Sequence, residues 1–229
     1  MDSNVIIACD FKDKEELYNF LKPFRGLNPY LKIGMELFYA EGPSMVRELK
    51  EAGFKIFLDL KLCDIPNTVE KAMRNLAKLN VDITNVHASG GIKMMEAAKR
   101  GLEGSNTKLI AVTILTSLDD DALKNELDIN KSVADVVKDY ATNAKKADLD
   151  GIVCSPLEAS IAKDLGLISV TPGIRLAGDQ KGDQKRVTTP KDAKVLGSTY
   201  IVVGRSITAS PDPVKQYLLC VKEFQNDGF

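Results

Sequence analysis

About a quarter of the way along its length the chain reads Lys55-Ile56-Phe57-Leu58-Asp59-Leu60-Lys61-Leu62-Cys63-Asp64. Lys55–Leu58 is a short, largely apolar run of the kind that becomes a strand buried on both faces, and it ends abruptly in charge. The same grammar recurs on either side. Candidate strands are Val5–Cys9, Tyr30–Ile33, Lys55–Leu58, Ile83–Val86, Leu109–Leu115, Gly151–Cys154, Ile168–Thr171 and Tyr200–Val203. Between them run helical patterns at Lys14–Phe24, Pro43–Ala52, Asn67–Leu79, Gly91–Leu102 and Val133–Lys146. In the second of these, Met45, Val46 and Leu49 fall at helical spacing while Arg47, Glu48, Lys50 and Glu51 face elsewhere. Strands alternating with helices of about 10–15 residues spell βαβ units and a parallel sheet. About eight such units predict an α/β fold, a (β/α)8 TIM barrel forming a single domain over residues 1–229. A doubly wound sheet is the competing arrangement. The first strand, however, runs into Cys9-Asp10-Phe11-Lys12-Asp13 and not into a Gly-x-Gly-x-x-Gly turn.

Composition narrows the function classes. The 229 residues are 44% hydrophobic and 28% charged, which excludes a disordered chain. Lys and Arg number 31 against 32 Asp and Glu, a net charge of −1. That balance lacks the basic footprint of a nucleic-acid binder. No apolar run reaches the roughly 18 residues of a membrane span, and Asp2 stands where a signal peptide carries positive charge. A cytoplasmic protein is expected. Cys9, Cys63, Cys154 and Cys220 contain no Cys-x-x-Cys pair, and the first three lie in or beside strand runs, where a reduced, buried thiol is ordinary. With His87 the only histidine, a His/Cys zinc site is not expected.

In a parallel barrel the chemistry sits at the C-terminal ends of the strands. The eight runs end in Asp10, near Lys32, in Asp59 to Asp64, in His87, in Thr116-Ser117, in Ser155, in Pro172-Gly173-Ile174-Arg175 and in Gly204-Arg205-Ser206. The densest is Asp59-x-Lys61-x-x-Asp64. Alternation puts residues 59 and 61 on one strand face, and Lys32 from the neighbouring strand can meet them. Each carboxylate then keeps a lysine charged, and each lysine keeps the carboxylates ionised. Asp-x-Lys alone reads equally well as a solvated strand end with ordinary ion pairs. Lys32, inside an apolar strand, tilts the reading toward a buried network, because lysine is almost never buried unpaired.

Phosphate binding is the second signal. Barrels often hold phosphate in the loops after strands 7 and 8, which here carry Gly173-Ile174-Arg175 and Gly204-Arg205-Ser206. Glycine admits backbone N–H groups to an anion, and arginine adds a two-pronged fork. Gln184 lies in the long irregular stretch Gly173–Thr189 and can add an amide. His87 is read as a hydrogen-bonded structural residue and Ser155 as a helix cap. Asp119-Asp120-Asp121 is read as a solvated helix start within an insertion over 118–131.

The segment Asp59-Leu60-Lys61-Leu62-Cys63-Asp64-Ile65-Pro66-Asn67-Thr68 closely resembles the signature of the orotidine 5′-phosphate decarboxylase family. Ala8-Cys9-Asp10, Leu31-Lys32-Ile33-Gly34, Leu115-Thr116-Ser117, Thr171 to Arg175 and Val203-Gly204-Arg205 follow in order, so the resemblance spans the chain and points to the bacterial-type branch. It implies a cofactor-free, metal-free homodimeric barrel that converts orotidine 5′-phosphate to UMP, the last step of de novo UMP synthesis. Lys61 is then the proton donor to C6 of the pyrimidine. Asp59 and Asp64 flank the departing carboxylate, with Asp64 reaching the partner subunit's site. Lys32 completes the catalytic network. The implied substrate-binding set is Asp10, Lys32, Asp59, Ile65 and Thr68 around the ribose and network. Thr116, Ser117 and Pro172 join it at the pyrimidine. Arg175, Gln184, Gly204 and Arg205 take the phosphate.

Three other readings compete. A metal-dependent keto-sugar phosphate decarboxylase shares Asp-x-Lys-x-x-Asp but carries an acid where this chain has Lys32, and an ammonium there repels Mg2+. An aldolase or isomerase barrel predicts different chemistry, in the aldolase case a Schiff base at Lys61. A non-catalytic module predicts UMP binding without turnover.

Overall fold

The computed structural model describes residues 3–176 and 187–225. Eight parallel strands close into a barrel in chain order: β1 (Val5–Ala8), β2 (Tyr30–Gly34), β3 (Ile56–Leu62), β4 (Ile83–His87), β5 (Lys108–Val112), β6 (Gly151–Val153), β7 (Ile168–Ile174) and β8 (Tyr200–Val203). Val5, Ile6 and Ile7 of β1 pair with Ile201, Val202 and Val203 of β8 and complete the circle. The helices are α1 (Lys14–Leu21), α2 (Met35–Glu51), α3 (Pro66–Ala77), α4 (Ile92–Gly101), α5 (Asp120–Leu127), α6 (Val133–Lys146), α7 (Ala159–Asp164), α8 (Pro190–Val195), α9 (Arg205–Thr208) and α10 (Pro213–Gln225). No helix among the described residues is long and apolar enough to cross a membrane.

Two cores explain why the strands read as continuous apolar runs. Inside the barrel Ile6, Ala8, Tyr30, Phe57, Ile83, Ile110, Val170 and Val202 form one buried cluster. Their sequence neighbours Val5, Ile7, Leu31, Ile56, Leu58, Leu109 and Ile201 point the other way, into the layer beneath the helices. Each strand therefore needs apolar side chains on both faces. At the end where strands begin, the inward rings of Tyr30 and Tyr200 meet edge-on with centroids 6.1 Å apart and plug the barrel. Polar groups are left to the opposite rim.

Local chemistry sets the helix boundaries. The Asp13 carboxylate accepts from the Glu16 N–H at 2.9 Å and starts α1. Ser132 does the same for α6 through the Asp135 N–H, so α6 covers the residues its periodicity predicts. α2 holds a surprise. It begins at Met35, eight residues before the predicted Pro43 start, and the chain leaves helical geometry at Gly42 (φ 70°) before Pro43 restarts it. A positive φ followed by proline suits Gly-Pro and interrupts the helix there. Asp119 caps α5 inside the predicted insertion, accepting from the Ala122 N–H at 3.0 Å. Strand ends differ too: β3 runs on to Leu62 and β7 to Ile174, while β5 stops at Val112.

Candidate active site

β3 carries the decisive distortion. Its register with β4 shifts between Leu58↔Thr84 and Leu62↔Val86, so residues 59 to 61 face Asn85 alone. Lys61 adopts φ 52°, left-handed backbone that costs a non-glycine residue about 1–2 kcal/mol. Such strain persists only where neighbours over-determine it. Here they do. The Lys61 N–H donates to Asn85 Oδ1 at 2.7 Å, and its ammonium donates to Asp59 Oδ1 at 2.7 Å. Asn85 in turn donates through Nδ2 to the same Asp59 oxygen at 2.7 Å.

β2 supplies the next charge. Lys32 Nζ lies 3.6 Å from Asp59 Oδ2 and 2.8 Å from Asp10 Oδ1 at the end of β1. The order Asp10, Lys32, Asp59, Lys61 thus alternates in sign across three adjacent strands. The side chains of Lys32 and Asp59 are only 11% and 10% exposed, so solvent screens the cluster little. Burial on its own pushes the Lys32 ammonium down, but the Asp59 and Asp10 carboxylates outweigh it and hold it above its ordinary value. Burial pushes Asp59 up, and Lys32, Lys61 and the hydrogen bonds from Lys61 and Asn85 more than reverse this. Both groups stay charged. Gly34 makes room for the pair, because a Cβ there would stand 3.0 Å from Lys32 Nζ and 3.1 Å from Asp10 Oδ1.

Two adjoining cavities open above the inner core. One, of about 200 Å3, is walled by Phe57, Val112, Ile114, Val153, Val170 and Val202, with Lys32, Asp59, Lys61, Thr116 and Pro172 at its polar side. The other, of about 410 Å3, is lined by Asp10, Lys32, Pro172, Gly173, Arg175, Gly204 and Arg205. They share Lys32, Pro172 and Val202. Together they fall in the roughly 300–1,000 Å3 range of small-molecule sites. A largely apolar compartment with two ammonium groups joins a polar one with two guanidinium groups. That division suits a ligand with a ring at one end and an anion at the other.

The remaining expected residues occupy the rim. Asp64, Ile65 and Thr68 are exposed; the Asp64 carboxylate accepts the Ile65 N–H at 2.6 Å and forms no ion pair with Lys32 or Lys61 of its own chain. Ser117 is exposed and borders neither cavity. Gln184 lies outside the described residues. The residues flanking that stretch are tied together, Arg175 N–H donating to Thr188 O and Thr188 N–H to Gly173 O. Ser155 is a cap, accepting from the Leu157 N–H while Glu158 returns a bond to the Ser155 N–H. His87 is half-buried, held below its ordinary value by burial and by the Lys61 charge. Its imidazole makes no hydrogen bond to another described residue, whereas a hydrogen-bonded structural histidine was expected. Cys63 is exposed, whereas Cys9, Cys154 and Cys220 are buried; the distorted end of β3 turns it outward.

Asn85 and Gly34 are the site residues that sequence reasoning passed over. An asparagine inside the strand run Ile83-Thr84-Asn85-Val86 was the available signal, and the structure buries it fully.

Barrel, charge network and paired cavities define the class: a (β/α)8 barrel with a small-molecule site at the C-terminal rim of its strands. Residues 3–219 match the family model described as Orotidine 5′-phosphate decarboxylase / HUMPS family. The chain is 56% identical over 218 residues to an orotidine 5′-phosphate decarboxylase of Staphylococcus epidermidis, covering 93% of this chain and 94% of that protein. A crystal structure of orotidine 5′-phosphate decarboxylase from Lactobacillus acidophilus superposes with a TM-score of 0.87 at 43% identity, covering 98% of this chain and 100% of the other. The enzyme from Methanocaldococcus jannaschii, solved with the inhibitor BMP, shares the fold at TM-score 0.79 and 21% identity, covering 99% of this chain and 100% of that one. The chain belongs to the orotidine 5′-phosphate decarboxylase / HUMPS family. Within it, the chain groups with the bacterial decarboxylases, which are carboxy-lyases.

Proposed function

We propose that the protein decarboxylates orotidine 5′-phosphate to UMP, the last step of de novo UMP synthesis, without metal or cofactor. The observation that carries this reading is the Lys32–Asp59–Lys61 network at the mouth of an apolar cavity continuous with one lined by Arg175 and Arg205. The pyrimidine fits against Phe57, Val112 and Val202 with its edge toward Thr116 and Pro172, while Ser117, outside the cavity lining, is assigned to it by the family resemblance alone. Asp10, Lys32 and Thr68 serve the ribose, with Ile65 beside them. Arg175, Gly204 and Arg205 serve the phosphate, with Gln184 as a fourth group.

The chemistry follows from charge placement. When the bond from C6 to the carboxylate breaks, CO2 leaves and the electron pair stays on C6. The Lys61 ammonium stabilises that developing charge and then transfers a proton to it, water afterwards reprotonating the amine. Asp59 holds Lys61 in place and sets negative charge against the substrate carboxylate, so charge repulsion there is relieved as CO2 leaves. Lys32, seated between two carboxylates, neutralises them itself, and its ammonium repels a divalent cation there. Binding energy from the distant phosphate helps organise the reacting end.

The test follows the absorbance of orotidine 5′-phosphate in the presence of excess EDTA. Turnover that persists supports the reading; turnover lost to the chelator and restored by Mg2+ overturns its metal-free part, and tight UMP binding with no turnover overturns it whole. We further propose a cytoplasmic homodimer in which Asp64 enters the partner's site, which suits an exposed carboxylate outside its own network. Mixing Lys61→Ala with Asp64→Ala protein then restores activity by forming one intact site per mixed dimer. No recovery rejects the shared site.

A further inference from the structure

We propose that Asn85 is the positioning residue of the proton donor, its single amide fixing both the Asp59 carboxylate and the strained backbone of Lys61. The proposal rests on the reading of Lys61 as that donor. Three observations carry it. First, the β3–β4 ladder skips here, leaving residues 59 to 61 opposite Asn85 alone, so the Lys61 N–H has no strand partner and takes a side chain instead at 2.7 Å. Second, Lys61 stands at φ 52°, a conformation that a lysine does not hold without external restraint. Third, Asn85 is fully buried and both ends of its amide are engaged.

The partners dictate which residue can serve. A backbone N–H only donates and an ionised carboxylate only accepts, so the amide must turn its oxygen to Lys61 and its NH2 to Asp59. Aspartate of the same size offers the acceptor but, when ionised, faces Asp59 with a second negative charge. Alanine offers neither function. Asp59 Oδ1 takes the Asn85 amide and the Lys61 ammonium together. One clamp therefore sets where the ammonium begins, through the backbone, and where it ends, through the carboxylate. Asn85 does not border the ligand cavities, so its effect falls on the chemical step and not on binding.

Comparing wild type with Asn85→Asp and Asn85→Ala across the pH range in which all stay folded tests this. The charged and titratable groups around the position are Asp59 and Lys61 on β3, Lys32 on β2 beyond Asp59, and His87 further along β4; β5 presents Ile110 and Val112. All of these are common to the three proteins, so a difference between profiles belongs to residue 85. Both variants are expected to lose about 10- to 100-fold in kcat at neutral pH, the usual cost of removing a residue that orients a reactive group, with KM within a few-fold. Asn85→Asp should then recover as pH falls, because a protonated carboxyl, raised by burial and by Asp59, both donates and accepts. Asn85→Ala should show no such limb.

A parallel profile for Asn85→Asp and wild type, or kcat for Asn85→Ala within about twofold of wild type, overturns the proposal. If Asn85→Asp proves unfolded, Asn85→Ser decides. Its hydroxyl can replace part of the clamp, so kcat above that of Asn85→Ala at equal KM supports the role, and equal kcat rejects it. A wild-type protein that releases no CO2 defeats the reading of the enzyme itself, whereas an active wild type with unchanged Asn85 variants defeats only the clamp.

Discussion

The ends of β2, β3 and β4 and the ends of β7 and β8 face the same cavity system but are built on different principles. At the first, Lys32, Asp59 and Asn85 are largely buried and locked in a closed set of ion pairs and hydrogen bonds. At the second, Arg205 is exposed and Arg175 half-exposed, on segments where Gly173 and Gly204 shape the backbone. A buried alternating array is expensive to desolvate and holds only if every member is paired. It therefore gains rigidity, which suits a group that must meet a transition state. An exposed guanidinium meets its anion by reaching, which suits binding. Rate should therefore reside in one region and affinity in the other.

Substitutions can break that division. The largest effect is expected for Lys61→Ala: kcat should fall by roughly 10²–10⁴-fold, the typical value of a positioned proton donor, while UMP binding measured by calorimetry stays near wild type. Lost UMP binding with preserved kcat would reverse the assignment of the two regions. Next, Arg205→Ala should raise KM by about 10- to 100-fold, since a charged hydrogen bond contributes about 1.5–3 kcal/mol, with kcat changed far less. Unchanged kinetics remove Arg205 from the anion site. Smaller again, Gly34→Ala should lower kcat several-fold by pushing Lys32 from Asp10, at a stability cost of about 1–3 kcal/mol for overpacking. A variant with wild-type kcat shows the ion pair to be dispensable.

The smallest effect concerns pH and stability. Asp59 is held below its ordinary value in the folded protein, so the unfolded state binds the proton more readily. Its stabilising contribution is present above the unfolded value of about 3.9 and is lost as pH falls further, through the folded value. Lys32 is held above its ordinary value, so its contribution is present below about 10.4 and is lost as pH rises beyond that. Urea midpoints of wild type and Asp59→Asn should accordingly differ by a constant amount from about pH 4 up to about pH 10 and converge in acid. A gap that widens in acid contradicts the direction of the Asp59 shift.

Much of this was legible in one dimension. Eight apolar runs between helical patterns suffice for a parallel barrel, because each strand must be apolar toward both the inner core and the helix layer. The polar residues that end those runs marked the rim, and Lys32 in an apolar strand marked the network. Other features were hidden for definite reasons. The helical turns from Met35 to Glu41 follow directly on β2 with no sequence break to mark their start, so they lie between the predicted strand and the helix predicted from Pro43. β3 continues three residues past its first charge because those charges point into a shared cavity and neutralise one another. Cys63 resembled a buried strand thiol until the left-handed turn at Lys61 redirected the chain.

The amino-acid order by itself determined the number and sequence of the strands and which residue types would stand at their C-terminal rim, since these depend on burial pattern and strand ends alone. Only the tertiary structure decided that Asn85 stands opposite residues 59 to 61, that Gly34 leaves space for an ion pair, and that the apolar cavity and the arginine-lined cavity share Lys32. Those facts depend on register between strands distant in sequence. Register is set by how the closed barrel packs, and no local pattern encodes it.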